Sequence, residues 1–366
     1  MLAGPLWRDN AKHDSQGKYC GVPEALRASR IAAKVESIGG AMIINEGIAK
    51  VTNSEFLDNR AIASGGAFTL GIGNPNIVGD SEIKNNTEFI KKLAEKYKIR
   101  KLGFEEQNIN YYTYKKLCKN SLKLKALTDT IEDLRVIKSQ QELFFIKTAV
   151  RRAENAFKKL QPFIKVGVTE QKLAMRLEGL LREEGCKNLP FGVIVTSGHM
   201  SALPHAKPTS RAIKKGDLVL FDWGGESNGY YSDMTRVVAI KGRHLKKQLE
   251  IYDTVFNAQD RAIKAVKPGA DAVNVDSAAR CFIKGKGYNK YFGHGTGHGL
   301  GLAVHERPVI SWQSKETIKK GMVFTVEPGI YLPGFGGVRI EDMVFVTGNG
   351  AEILTSLPRR LKIIEG

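Results

Sequence analysis

Asp222 ends an unbroken apolar run in DLVLFDWGG (217–225), and Asp233 follows 11 residues later in YSDMTR. Two carboxylates on adjoining strand ends, joined by a short loop, can face one pocket. Three more candidates lie downstream. His298 sits in GHGTGHGLGL (293–302), where flanking glycines let backbone and imidazole approach a ligand closely. Glu327 stands in VEPGIY (326–331), and Glu341, 14 residues on, in VRIED (338–342). Four carboxylates in one cavity strongly disfavour joint ionisation, so a fold that gathers them needs compensating cations. Four carboxylates and one imidazole suit a pair of divalent ions, Mn²⁺ first, with Co²⁺ or Zn²⁺ as alternatives. Any one of these residues alone would read as an exposed side chain or a cap. Their specificity lies in the ordered set.

Neighbouring motifs narrow the chemistry. GHGTGHG fails the dinucleotide-binding GxGxxG spacing. His305-Glu306 opens an HExxH pattern, but Val309 occupies the second histidine position, which excludes a zincin. His199 and His244 have no partner pattern and read as surface residues.

From about residue 87 the periodicity is that of an α/β chain. Helical spacing runs over 89–97, 110–125, 133–160, 170–184, 246–265 and 273–284. Strand-like runs lie at 98–106, 191–198, 217–225, 235–240, 322–327 and 343–347. Two helices then strands, followed by two helices then strands, predict an α+β domain of two similar halves.

Residues 38–87 differ in texture. GGA recurs at Gly39-Gly40-Ala41 and Gly65-Gly66-Ala67, followed by FLDN (56–59) and IKNN (83–86). A period in the twenties with Gly and Asn corners suits coils of a parallel β-helix, and the passage resembles the GGA and FxxN repeats of chlamydial-type polymorphic outer-membrane proteins. The expected organisation is therefore an unassigned segment 1–37, with a short helix near 24–37, and a β-helix-like fragment 38–87. A remnant of an α/β domain over 88–132 and a catalytic domain over 133–366 follow.

The downstream motifs carry a broader resemblance. DLRVIKSQQEL (133–143), TSGHMSALPHAKP (196–208), GDLVLFDWGGESNGYYSDMTR (216–236), GHGTGHGLGLAVHERP (293–308), GMVFTVEPGIYLPGFGGVRIEDM (321–343) and LTSLPR (354–359) are similar to the "pita-bread" metallopeptidases. That family contains Xaa-Pro aminopeptidase, prolidase and methionine aminopeptidase. The resemblance implies Asp222, Asp233, His298, Glu327 and Glu341 as ligands of two metal ions, with Asp233 and Glu341 bridging. Arg339 would hold a metal carboxylate. His205, His294 and His305 match the pocket histidines of the proline-specific branch. The implied reaction is hydrolysis of the bond before proline by a metal-bridged hydroxide. Glu327 would handle the proton, His305 would stabilise the oxyanion and His205 would contact the peptide. The incomplete N-terminal domain keeps a second reading open, a catalytically impaired shell that acts as a binding module.

Charge and cysteine usage set the remaining expectations. The formal net charge is +18, but the basic residues are scattered with no aromatic-interleaved stripe. They read as a solvated lysine-rich surface, with no nucleic-acid partner. No apolar run approaches the ~18 residues of a membrane span, and the first 20 residues lack the apolar core of a signal peptide. Cys20, Cys118, Cys186 and Cys281 form no CxxC pair, which points to a reducing, cytoplasmic compartment. The expected partners are peptides with proline in second position and, through subunit contacts of the family, a second copy of the chain.

Overall fold

In this computed structural model the structure describes residues 101–118 and 123–365 continuously, and upstream of them 12–13, 19–20, 37–38, 41–43 and 90. But for those few positions, the two-copy GGA period and the helices expected at 24–37 and 89–97 lie outside the described residues. Two compact units are present, Met1–Leu134 and Arg135–Gly366.

In the first unit, β1 (Lys12–His13) pairs with β2 (Tyr19–Cys20). A four-stranded sheet has the order β3 (Ser37–Ile38), β4 (Ala41–Ile43), β5 (Lys101–Glu105), β6 (Lys123–Leu127). Helix α1 (Tyr111–Cys118) precedes β6. The helical pattern read over 110–125 therefore ends early. In KLKAL only Leu124 and Leu127 are partly covered, so no clean alternation marks the strand, which pairs in parallel with β5 and follows directly on a lysine-rich run.

The helix expected over 133–160 is two helices, α2 (Thr130–Val136) and α3 (Gln140–Leu160). Ser139 makes the break. Its Oγ accepts the Glu142 N–H at 3.2 Å, while the Glu142 carboxylate accepts the Ser139 N–H at 2.7 Å, a reciprocal capping box written as S-x-x-E. Ser139→Ala is expected to lower stability by about 1 kcal/mol, readable as a shift in the urea midpoint.

In the second unit the order of two helices then strands occurs twice. Helices α3 and α4 (Glu170–Glu183) precede β7 (Ile194–Ser197), β8 (Leu218–Trp223), the short pair β9 (Glu226–Ser227) and β10 (Tyr230–Tyr231), and β11 (Met234–Ile240). Helices α5 (Leu245–Ala265) and α6 (Ala272–Gly285) precede β12 (Gly297–Gly299), β13 (Glu306–Ile310), β14 (Val323–Val326), β15 (Gly329–Leu332), β16 (Gly336–Arg339) and β17 (Asp342–Val346). The chain closes with β18 (Ala351–Ile353) and β19 (Lys362–Ile364). One sheet runs β19-β11-β8-β7 and the other β13-β12-β14-β17-β18, with β15 and β16 a separate hairpin.

The central strands β8, β11 and β17 have no exposed face because both sides are covered. Val219, Phe221 and Trp223 of β8 join Ile146, Val150, Phe157 and Leu177 of α3 and α4 in one core. Leu218 and Leu220 of the same strand join Ile251, Val255, Val275 and Ile283 of α5 and α6 in another. Period-2 alternation thus feeds two cores, and a strand buried on both faces reads as a continuous apolar run. The same division holds in β17, with Met343 and Phe345 in one cluster and Val344 and Val346 in the other. Among the described residues, no helix is long and apolar enough to cross a membrane.

Candidate metal centre

Strand register explains how distant residues meet. Asp222 pairs with Thr235 across β8 and β11, and Thr235 bridges to Glu341, so these three side chains share a face. Asp233 and Arg339 lie two residues from Thr235 and Glu341, which returns them to that face. Their neighbours Arg236 and Asp342 point the other way and form a buried ion pair at 2.6 Å.

His298 arrives from the second sheet. Its strand lies so close to its neighbours that a Cβ on Gly297 would stand 1.9 Å from the Thr325 carbonyl oxygen, and one on Gly299 2.1 Å from that of Arg307. Only glycine on both sides allows this approach. The backbone N–H of His298 donates to Thr325 Oγ1 at 3.1 Å, and that hydroxyl donates to Glu327 Oε1 at 3.1 Å.

Ligand-type atoms of Asp233, His298 and Glu341 lie within 4.8 Å of one another. Glu327 joins them through its Oε1, 3.3 Å from His298 Nε2. Asp222 is held by Arg339, whose Nη2 donates to Asp222 Oδ2 at 2.6 Å. Arg339 Nε also donates to Thr235 Oγ1 at 3.0 Å, and Thr235 donates to Glu341 Oε2 at 2.7 Å. The five sequence candidates and Arg339 therefore form one connected cluster.

The donor chemistry fits divalent cations. His298 Nδ1 faces the Gly299 carbonyl at 3.1 Å; a carbonyl only accepts, so Nδ1 carries the proton. The Nε2 lone pair then faces two carboxylate oxygens, Glu327 at 3.3 Å and Asp233 at 3.7 Å. Acceptors facing acceptors repel unless a cation lies between them. Asp222 Oδ1, Asp233 Oδ1 and Glu341 Oε1 are buried without a hydrogen-bond partner, a costly state that a metal ion would relieve. Burial, reinforced by the neighbouring carboxylates, pushes Asp233 and Glu341 well above the usual carboxylate range. Burial also keeps His298 neutral by pushing its imidazole down.

The other histidines divide. His294 uses both ring nitrogens within the protein: Nδ1–H donates to the Gly295 carbonyl at 2.8 Å, leaving Nε2 to accept from the Tyr331 hydroxyl at 2.9 Å. Tyr331 in turn accepts from Arg339 Nη1 at 2.9 Å. His305 is exposed, with its ring 4.3 Å from that of His298. His205 is exposed as well, and close enough to bias the protonation of His294 and His305. His199 and His244 are exposed, as the sequence reading expects. Sequence reasoning missed Tyr331 and Thr235, although both lie inside the same motifs as the candidate ligands. It also missed Glu306, which anchors the His305 loop by accepting from Lys138 Nζ and Arg135 Nη2, each at 2.5 Å.

Residues 145–348 match the model of metallopeptidase family M24. This chain belongs to metallopeptidase family M24. Over 277 residues the M24 chain is 43% identical to a Xaa-Pro dipeptidase of Pyrococcus furiosus, covering 74% of this chain and 79% of that protein. The solved Xaa-Pro dipeptidase from Bacillus anthracis superposes with a TM-score of 0.78 at 33% identity, over 93% of this chain and 98% of that one. An X-Pro aminopeptidase from Thermotoga maritima gives 0.73 at 38% identity, over 76% and 78%. The chain is a peptidase with the mixed α/β pita-bread fold, and its family implies divalent metal ions.

Proposed function

We propose that the M24 chain hydrolyses the bond between an N-terminal residue and proline, as an Xaa-Pro aminopeptidase or dipeptidase. The observation that carries this reading is the cluster of four carboxylates and one imidazole, Asp222, Asp233 and Glu341 buried and Glu327 and His298 half-buried, beside exposed His205 and His305. It stands alongside relatives that are Xaa-Pro dipeptidases. We assign Asp222, Asp233, His298, Glu327 and Glu341 as ligands of two divalent ions, Mn²⁺ first, within a catalytic domain spanning 133–366. Residues 88–132 are assigned to the α/β domain remnant. The complete ligand set favours an enzyme over a shell that only binds.

The chain's own residues set the roles. When bound, the ions would lower the pKa of a water so that hydroxide is available near neutral pH. Burial holds the Glu327 carboxyl above its ordinary range, which suits it to take the attacking water's proton. The acidic cluster favours a free α-amino group, and so removal of one residue at a time. Arg339 fixes Asp222, and Thr235 fixes Glu341, so neither carboxylate must reorganise. His305 is placed to stabilise the carbonyl oxygen as negative charge develops, and His205 to contact the peptide. Proline's nitrogen has no N–H in the peptide and must gain a proton as it leaves, which a histidine-lined pocket can supply.

Side-by-side assays of Ala-Pro and Met-Ala peptides test the assignment. Ala-Pro is expected to be the better substrate by ~10-fold or more in kcat/KM. Preference for Met-Ala would move the chain to the methionine branch.

A further inference from the structure

Helix α6 carries a charged pair outside the metal cluster. Asp276 is fully buried and accepts from Arg280 Nε at 2.7 Å and Arg280 Nη2 at 2.8 Å. Its Oδ1 also accepts from the Thr296 backbone N–H at 3.2 Å and the Thr296 hydroxyl at 2.8 Å. The same guanidinium donates from Nη1 to the Phe292 carbonyl at 3.0 Å and from Nη2 to the His294 carbonyl at 2.7 Å. The Phe292 ring lies 4.2 Å and the Trp312 ring 4.5 Å from its centre.

Every residue tied down here flanks or includes His294. The loop 292–296 is fixed at three points, the Phe292 and His294 carbonyls and the Thr296 amide, by side chains from a single helix turn. These contacts use four of the guanidinium's five N–H donors, spread over three coplanar nitrogens; an ammonium has three donors on one nitrogen and cannot make all four. A fully buried carboxylate is costly to keep unless its partners are fixed. The pair's placement gives that cost a purpose.

We propose that Asp276 and Arg280 are positioning residues that set the orientation of His294, and through it the Tyr331–Arg339–Asp222 chain of hydrogen bonds. This rests on the functional reading above for its kinetic consequence, not for its structural one. Arg280→Lys keeps the charge beside Asp276 but gives up the bridging geometry.

The test is a double-mutant cycle with His294→Asn, using Ala-Pro hydrolysis. Arg280→Lys is expected to lower kcat/KM ~10-fold in the wild-type background, since small misplacements of a positioned group can cost up to ~100-fold. In the His294→Asn background it should cost less than about twofold, because the group it orients is already gone. Equal losses in both backgrounds, or no loss in the first, would overturn the proposal. If Arg280→Lys does not fold, Thr296→Val, which removes one hydroxyl at nearly constant volume, runs through the same cycle with the same criterion.

A second readout needs no turnover. In protein loaded with diamagnetic Zn²⁺, the His294 imidazole signal is identified by its loss in His294→Asn. It should move in Arg280→Lys while the signals of exposed His199 and His244 stay in place. An unmoved His294 signal refutes the brace. Absence of Ala-Pro cleavage by the wild-type protein refutes the functional reading instead, so the two failures are distinguishable.

Discussion

Asp233→Asn and Glu341→Gln are each expected to lower Ala-Pro hydrolysis by about a thousandfold or more. Each replacement keeps side-chain volume and removes a charge that the proposed metal site requires. Loss of several kcal/mol of transition-state stabilisation corresponds to about three or more powers of ten in rate. The stability consequence runs the other way in metal-free protein. Asp233 and Glu341 are buried together with an orphaned oxygen on each, and both are held above the ordinary carboxylate range by burial and by the surrounding carboxylates. An amide relieves the like-charge repulsion, so chelated Asp233→Asn should melt no lower than the chelated wild-type protein. Adding Mn²⁺ should raise the wild-type melting temperature and move the variant much less, since only the folded wild-type protein offers the full site. Normal metal content with full activity in either variant would overturn the ligand assignment.

The site was more legible in sequence than the fold around it. Asp222, Asp233, His298, Glu327 and Glu341 stand in short motifs whose residue types have few other reasons to occur in that order. Their meeting in space depends on register, which the sequence does not display: nothing in TRVVAI announces that Thr235 lies opposite both Asp222 and Glu341. Tyr331 was hidden for a related reason. A tyrosine in an apolar strand reads as core, and only the Arg339 and His294 contacts at 2.9 Å give its hydroxyl a role. Short strands such as β12, with glycine at both ends, carry no alternation to read. Helices α5 and α6 were readable almost to the residue because their apolar spacing persists for several turns. The α2–α3 break was written in Ser139 and Glu142, but helical periodicity on either side concealed it.

Arg236→Met is expected to destabilise the protein by about 3–5 kcal/mol, the usual cost of removing one partner from a buried ion pair. Arg236 is 4% exposed and Asp342 fully buried. Besides its 2.6 Å contact with Asp342, the guanidinium donates to the carbonyls of Thr235, Glu341 and Leu357 at 2.9, 2.7 and 2.9 Å. It therefore grips, from their opposite face, the strands that present Thr235 and Glu341 to the carboxylate cluster. Asp342 keeps other donors, Gln259 Nε2 at 2.9 Å and Thr355 Oγ1 at 2.5 Å, but these cannot neutralise its charge. Arg236→Met combined with Asp342→Asn removes that charge and leaves an amide that Gln259 and Thr355 can still contact. The double variant should recover part of the loss, measured as a urea midpoint higher than that of Arg236→Met alone. A double variant less stable than Arg236→Met would show that the carbonyl contacts, not the unpaired Asp342 charge, dominate the cost. Because the grip bears directly on Thr235 and Glu341, activity should fall in Arg236→Met even under conditions where the protein remains folded.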